Sequence, residues 1–128
     1  MKSARRISLW APVAAYMALI FYLSSLSDAP LSQGMSDKSG HGIGYFGFGL
    51  VVTRAVAGGL PAPVTWRIAV AALAIGIGYG CTDEFHQLFV PGRSADLADL
   101  AVDAVSVAAS VAALWAWGII RDVPPRRT

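Results

Sequence analysis

Long apolar stretches, divided by short polar segments, constrain this chain more than any other feature. Four such stretches lie at about residues 7–26, 38–56, 66–87 and 97–120. Each is close to the roughly 20 residues that a helix needs to cross a bilayer at about 1.5 Å per residue. Only 14% of the 128 residues are charged, against about a quarter in soluble domains. The sequence predicts one all-α domain, residues 1–128, built as a four-helix transmembrane bundle.

The composition excludes several other classes of protein. A single cysteine, Cys81, excludes a disulfide-rich secreted module. A net charge of +2 gives no basic surface for nucleic acid, so no nucleic-acid partner is expected. The basic residues before the first apolar stretch resemble those of a signal peptide. However, that stretch is longer than a usual signal-peptide core and three more membrane-length segments follow, which favours an anchor helix.

The basic residues predict the orientation of the bundle. If the four helices cross in alternation, eight of the ten lysines and arginines fall on one side and two, Lys38 and Arg93, on the other. Basic residues are retained on the cytoplasmic side of membrane proteins, so both termini are predicted to be cytoplasmic. The eight are Lys2, Arg5, Arg6, Arg54, Arg67, Arg121, Arg126 and Arg127.

The acidic residues are distributed in the opposite way. Seven of the eight fall on the outer side, and only Asp122 falls inside. Acidic residues contribute little to topology, so this second asymmetry indicates a function. We therefore predict a polar pocket at the extracytoplasmic face. The seven outer acids are Asp28, Asp37, Asp83, Glu84, Asp96, Asp99 and Asp103.

Helical spacing brings these groups into one layer. His41, Asp83 and Asp103 lie 13, 16 and 18 residues from the nearest cytoplasmic arginine of their helices, which corresponds to roughly 20 to 27 Å. Ionisable groups at this depth usually face a bundle interior or a cavity, and they mark candidate functional sites. Each of these three helices is predicted to carry its polar residues on one face. These faces hold Asp37, His41 and Tyr45 on helix two; Tyr79, Asp83, His86 and Gln87 on helix three; and Asp96, Asp99 and Asp103 on helix four.

Structural explanations stand beside the functional one. Asp37 and Asp96 lie near predicted helix starts, where N-capping and the helix dipole explain an acid. The other polar residues of the layer are also compatible with an ion-pair network that holds three helices together. This network would contain Asp83, Glu84, His41, Arg93, Asp99 and Asp103.

Three motifs occur in a fixed order along the chain. They are D-K-x-x-H from Asp37 to His41, D-E-x-x-Q from Asp83 to Gln87, and G-R-S-x-D-x-x-D from Gly92 to Asp99. Together they resemble the VanZ-like family of small bacterial membrane proteins, named after a factor associated with low-level teicoplanin resistance. The resemblance extends from about Leu9 to Ile120. The chain departs from it at Asp103, where many members have Asn, and at residues 105–109, where small glycine positions are common.

The resemblance implies a multi-pass protein of the bacterial cytoplasmic membrane that belongs to the cell envelope and acts on lipid head groups. The chemistry of the residues agrees with this role. Arg93 and Lys38 are the cations suited to a phosphate, and adjacent acids tend to raise one pKa, as proton transfer requires. The catalytic candidates are Asp83, Glu84, His41 and Asp99. The substrate-binding candidates are Arg93, Lys38, Gln87, Asp37, Asp103 and Ser94.

Two functions remain open from the sequence, with a transporter as a weaker third because four short helices form little pathway unless they oligomerise. The first is an enzyme that hydrolyses or transfers the phosphate-linked head group of a membrane lipid or lipid-linked cell-wall precursor. The second is a non-catalytic head-group binder, or an envelope factor that influences glycopeptide susceptibility. A carboxylate-rich metal site is the weaker interpretation, because no metal-ligand motif is present, so no metal ligands are assigned and the metal requirement stays open. The sequence identifies no cofactor and no oligomeric state.

Overall fold

The computed structural model describes residues 1–27, 34 and 36–121 and contains four α-helices. They are α1 (Lys2–Ser24), α2 (Asp37–Val56), α3 (Trp66–Gln87) and α4 (Leu97–Ile120). No strand occurs in the described residues, of which 78% are helical, and this confirms the predicted all-α four-helix architecture. Asp28, Asp122, Arg126 and Arg127 lie outside the described residues.

Three of the four described helices, α1, α3 and α4, are long and apolar enough to cross a membrane. Helix α2 is not among them, although it contacts each of the other three. Its first turn is exposed, but the polar side chains farther along it, His41, Tyr45 and Thr53, are all buried against the neighbouring helices. That α2 also crosses the membrane stays a prediction.

Side-chain caps fix three helix starts. Ser36 accepts a hydrogen bond from the Ser39 amide at the start of α2, and Thr65 accepts one from Ile68 at the start of α3. Asp96 caps α4 by accepting from the Ala98 amide, which confirms its predicted role. The expectation that Asp37 caps α2 is wrong, because the helix already begins at Asp37 and the preceding residue, Ser36, is the N-cap. Asp37 lies instead in the first turn, where the helix dipole favours an acid.

Helix α1 begins at Lys2, five residues before the predicted start at residue 7. The predicted start marked the beginning of the apolar stretch, whereas lysine and arginine are themselves good helix formers. Arg5 also donates a 2.6 Å hydrogen bond to the carbonyl of Gly58, which holds this first turn against the α2–α3 connection.

Close helix contacts hold α2, α3 and α4 together. Phe48, Val52 and Val107 are fully buried between them. Gly49 of α2 and Gly76 of α3 both lie directly against Val107 of α4, as expected of glycines that let helices approach. The antiparallel arrangement places the start of α2, the end of α3 and the start of α4 at the same end of the bundle.

Candidate functional site

Six buried polar side chains from α2, α3 and α4 lie together at this shared end of the bundle. We call them the polar cluster. They retain between 0% and 9% exposure, in a region where isolated charges are expensive. The cluster consists of His41 from α2; Asp83, Glu84 and Gln87 from the last turns of α3; and Asp99 and Asp103 from the first turns of α4.

His41 is the centre of the polar cluster. Its Nδ1 lies 2.9 Å from Asp103 Oδ1 in a fully buried contact. Its Nε2 lies 3.9 Å from Asp99 Oδ2 and 4.0 Å from Glu84 Oε1. The imidazole is therefore held on one side by a short hydrogen bond, while its other nitrogen faces two carboxylates.

The two neighbouring acids of α3 have different partners. The Tyr45 hydroxyl donates a 3.1 Å hydrogen bond to Asp83 Oδ2. Glu84 Oε2 accepts a 2.8 Å hydrogen bond from the backbone N–H of Asp96. Glu84 Oε1 has no hydrogen-bond partner among the described residues. The two carboxylates thus lie in distinct surroundings, with one oxygen of Glu84 free.

The two cations contact the outer part of the site. Lys38 Nζ donates to Asp99 Oδ1 at 3.0 Å and to Asp96 Oδ2 at 3.2 Å. Arg93 Nη1 lies 3.8 Å from Asp37 Oδ1, and Arg93 Nε has no partner in the described part of the chain. The expected ion-pair network is present in part, because His41 contacts Glu84, Asp99 and Asp103. Arg93 pairs with Asp37 outside that network, and Lys38 connects Asp99 to Asp96.

Asp96 lies just before α4 and accepts hydrogen bonds from the Ala98 amide and from Lys38. The hydrogen bond from the Ala98 amide, followed by that from Lys38, holds the pKa of Asp96 below its usual range. At neutral pH Asp96 is therefore a charged anchor for Lys38.

A cavity of about 100 Å³ adjoins the polar cluster between α1 and α2. One part of its wall is polar and carries His41, Asp83 and Arg93. Another part is apolar and formed by Ile20 and Leu23 of α1. The cavity therefore presents charge, hydrogen-bonding groups and an apolar surface to one occupant.

The structure places most of the predicted site residues around this cluster. Gln87 is 1% exposed, and its Nε2 has no partner among the described residues. Asp37 lines the cavity but remains exposed. Ser94 is exposed in the α3–α4 connection. That Asp37 and Ser94 bind substrate stays a prediction.

Two residues predicted to share the face of Asp83 contact α1 instead. The Tyr79 hydroxyl donates to the Met17 carbonyl at 2.6 Å. His86 Nε2 lies 3.0 Å from Ser25 Oγ, and its ring stacks on Phe21. These side chains attach α1 to α3 and stand outside the polar cluster.

The sequence does not predict that α1 contributes to the site. Ile20, Leu23 and Ser24 line the cavity although α1 has no acidic residue. None of these three side chains is charged, so nothing in the sequence distinguishes them from other residues of an apolar helix. Tyr45 was placed on the face of His41, but its bond to Asp83 depends on how α2 packs against α3.

The fold and the site define a helical membrane protein with a buried acid–histidine cluster at one end of its bundle. A family model described as VanZ/LLP1 matches residues 4–120. The chain therefore belongs to the VanZ/LLP1 family, which confirms the resemblance found in its motifs. Comparisons with curated proteins and with solved structures gave no significant match.

Proposed function

We propose that this protein acts on the phosphate-linked head group of a lipid or lipid-linked cell-wall precursor at the outer leaflet of the bacterial cytoplasmic membrane. The observation that carries the proposal is the composition of the cavity. His41 and Asp83 line it together with Arg93 and with the apolar side chains Ile20 and Leu23. An amphipathic lipid is the molecule that presents a phosphate and a hydrocarbon chain to such a wall.

Arg93 supports the phosphate-binding part of the proposal. Its 3.8 Å separation from Asp37 is longer than a hydrogen bond, and its Nε has no partner among the described residues. The guanidinium therefore has donors to offer, and its planar fork matches two phosphate oxygens. Lys38 has two of its three donors engaged by Asp96 and Asp99, which leaves Arg93 as the better phosphate ligand.

The polar cluster supports proton transfer. In hydrolysis, a base removes a proton from water as its oxygen attacks phosphorus, and an acid protonates the departing oxygen. His41 Nε2 and the free Glu84 Oε1 lie 4.0 Å apart, a separation that a hydroxyl or water oxygen bridges. Asp83 is oriented at the cavity by Tyr45. These three residues are the candidates for the base and the acid.

A purified-protein assay tests the proposal. Labelled phospholipids and undecaprenyl-type lipids are supplied to the full chain in detergent, and head-group release or transfer is measured. We expect turnover that Glu84→Gln, Asp83→Asn and His41→Ala each reduce at least a hundredfold. The matched control is His86→Ala, since this second histidine contacts Ser25 and Phe21. Absence of turnover, or turnover that survives all three cluster substitutions, rejects the enzymatic reaction.

The same preparation tests the alternative of a non-catalytic binder. The Nε donor of Arg93, which has no partner among the described residues, supports head-group binding without any chemistry. In that case a lipid co-purifies with the wild-type chain in stoichiometric amount and is lost in Arg93→Ala, without product. A change in glycopeptide susceptibility in cells that carry Arg93→Ala would then connect binding to the envelope.

A further inference from the structure

Three side chains from three helices lie within coordinating distance of one another. His41 of α2, Asp83 of α3 and Asp103 of α4 each offer a ligand atom, and these atoms all lie within 4.8 Å of each other. His41 Nδ1 and Asp103 Oδ1 are 2.9 Å apart. Adjacent ligands around an octahedral ion with bonds of about 2.1 Å lie about 3 Å apart. The arrangement has the dimensions of a cation site.

The buried acids also need positive charge. Asp83, Glu84 and Asp103 are at most 7% exposed. In the part of the chain that the structure describes, every lysine or arginine ion pair goes to Asp37, Asp96 or Asp99 instead. Burying carboxylates without a compensating cation is strongly unfavourable. His41 alone supplies at most one positive charge to these three acids.

Unpartnered oxygen atoms give an independent indication of a ligand. Asp103 is 0% exposed, and its Oδ2 has no hydrogen-bond partner in the described residues. This oxygen faces α3 beside Gly80, one turn before Asp83, where an added Cβ would lie 3.3 Å from it. Buried polar atoms almost always have partners, so an unpartnered carboxylate oxygen here points to a ligand at the site, either an ion or an ordered water.

Glu84 completes the surroundings expected of a metal-bound histidine. Such a histidine usually donates its second ring N–H to a carboxylate. If Nδ1 binds the ion, Nε2 carries the proton and faces Asp99 Oδ2 at 3.9 Å and Glu84 Oε1 at 4.0 Å, distances that a bridging water spans, and Glu84 Oε1 has no hydrogen-bond partner among the described residues. Glu84 Oε1 would then help to orient the metal-bound imidazole.

A second group of ligands shares His41 but is less suitable. Asp37, His41 and Asp99 also bring ligand atoms within 4.8 Å of one another. However, Asp37 lies 3.8 Å from Arg93, and Asp99 lies 3.0 Å from Lys38. Their charges are already compensated, so the deeper group has the stronger demand for a cation.

We propose that His41, Asp83 and Asp103 bind one divalent transition-metal ion of the Zn²⁺ or Mn²⁺ kind. One imidazole with two carboxylates suits these ions, and a set of three protein ligands leaves coordination positions for other molecules. The cavity, which His41 and Asp83 line, gives the ion a path to the site. The site stands on this geometry alone and does not depend on the head-group proposal. The sequence showed no metal motif because its ligands come from three different helices.

Metal analysis of the full-length chain tests the site. The protein is purified in detergent, stripped with a chelator, incubated with Zn²⁺ or Mn²⁺, and desalted before its metal content is measured. We expect about one ion per chain, with at least tenfold weaker binding in Asp83→Asn and in Asp103→Asn. Asp37→Asn is the matched control, since it removes an acid of the second group, and it should retain the ion.

Thermal unfolding separates loss of the ligand from loss of the fold. The stripped Asp103→Asn variant should unfold at the same temperature as the stripped wild type or higher, because it lacks an uncompensated buried charge. Added metal should raise the unfolding temperature of the wild type only. A wild-type chain that retains no ion, or binding that is lost in Asp37→Asn and kept in Asp83→Asn, overturns the proposal. The metal-binding experiment uses no lipid substrate, so its result does not depend on whether the protein shows turnover in the head-group assay.

Discussion

At the scale of single residues, the contribution of the hydrogen bond from Tyr45 to Asp83 can be measured with one conservative substitution. Tyr45 is 2% exposed, and its hydroxyl donates to a carboxylate that is itself buried. We expect Tyr45→Phe to destabilise the protein by about 1–3 kcal/mol, because a buried carboxylate oxygen loses its donor. Unfolding of the purified protein by heat or denaturant measures the change. Tyr22→Phe, at an exposed tyrosine, is the control. An equal effect of the two substitutions would contradict the contact.

Asp96 gives a residue-scale prediction about pH. Its pKa in the folded protein is lowered by the Ala98 amide and by Lys38, so the ionised carboxylate favours the folded state. That contribution is complete above the ordinary aspartate pKa and is lost as the pH falls through the lower folded value. Asp96→Asn keeps a capping side chain but removes the charge. We expect the wild type to be more stable than Asp96→Asn at neutral pH, with a difference that shrinks toward pH 3. A difference that grows on acidification would contradict the assignment.

At the scale of the helices, the contact between α3 and α4 depends on Gly76. A Cβ added there would lie 2.7 Å from one methyl group of Val107 and 2.8 Å from the other, and Val107 is fully buried. We expect Gly76→Ala to cost about 1–3 kcal/mol, because the branched valine cannot move aside without displacing α4. Gly78→Ala is the control on the same helix, since an added Cβ meets nothing within 4 Å.

A second substitution separates packing from backbone effects at Gly76. Val107→Ala removes the methyl groups that the new Cβ would meet. The double variant should therefore lose less stability than the sum of the two single changes. Additive losses would show that Gly76 matters for a reason other than its contact with Val107.

The helices were more predictable than their contacts. Apolar length and basic boundaries determine where a span lies, so the starts of α3 and α4 could be read from the residues around Trp66 and Leu97. Depth along each helix also predicted that His41, Asp83 and Asp103 would meet. Which acid pairs with which cation could not be predicted, because it depends on how the helices rotate. Arg93 contacts Asp37, and Asp83 receives a tyrosine hydroxyl.

At the scale of the whole molecule, charge is sorted between the two ends of the bundle. The polar cluster lies at one end, while Arg5 bonds to the Gly58 carbonyl and Arg54 to the Ser8 carbonyl at the other. Helix α2 carries the imidazole of the cluster and is the helix whose own composition is too polar to indicate a span. Its packing against three helices would compensate for this in a membrane, since His41, Tyr45 and Thr53 are buried against protein.

The orientation of the molecule in the membrane stays a prediction from the distribution of its basic residues, and it is open to a direct test. Eight of ten basic residues belong to the end opposite the cluster when the four helices alternate, and basic residues remain in the cytoplasm. Reporter domains active only in the cytoplasm should be inactive when fused after Gln33 or Arg93, and active after Gly59 or at the C-terminus. Reporters active only outside should give the reverse pattern. Cytoplasmic activity after Arg93 would place the polar cluster at the inner leaflet, and a head-group substrate would then have to be sought there.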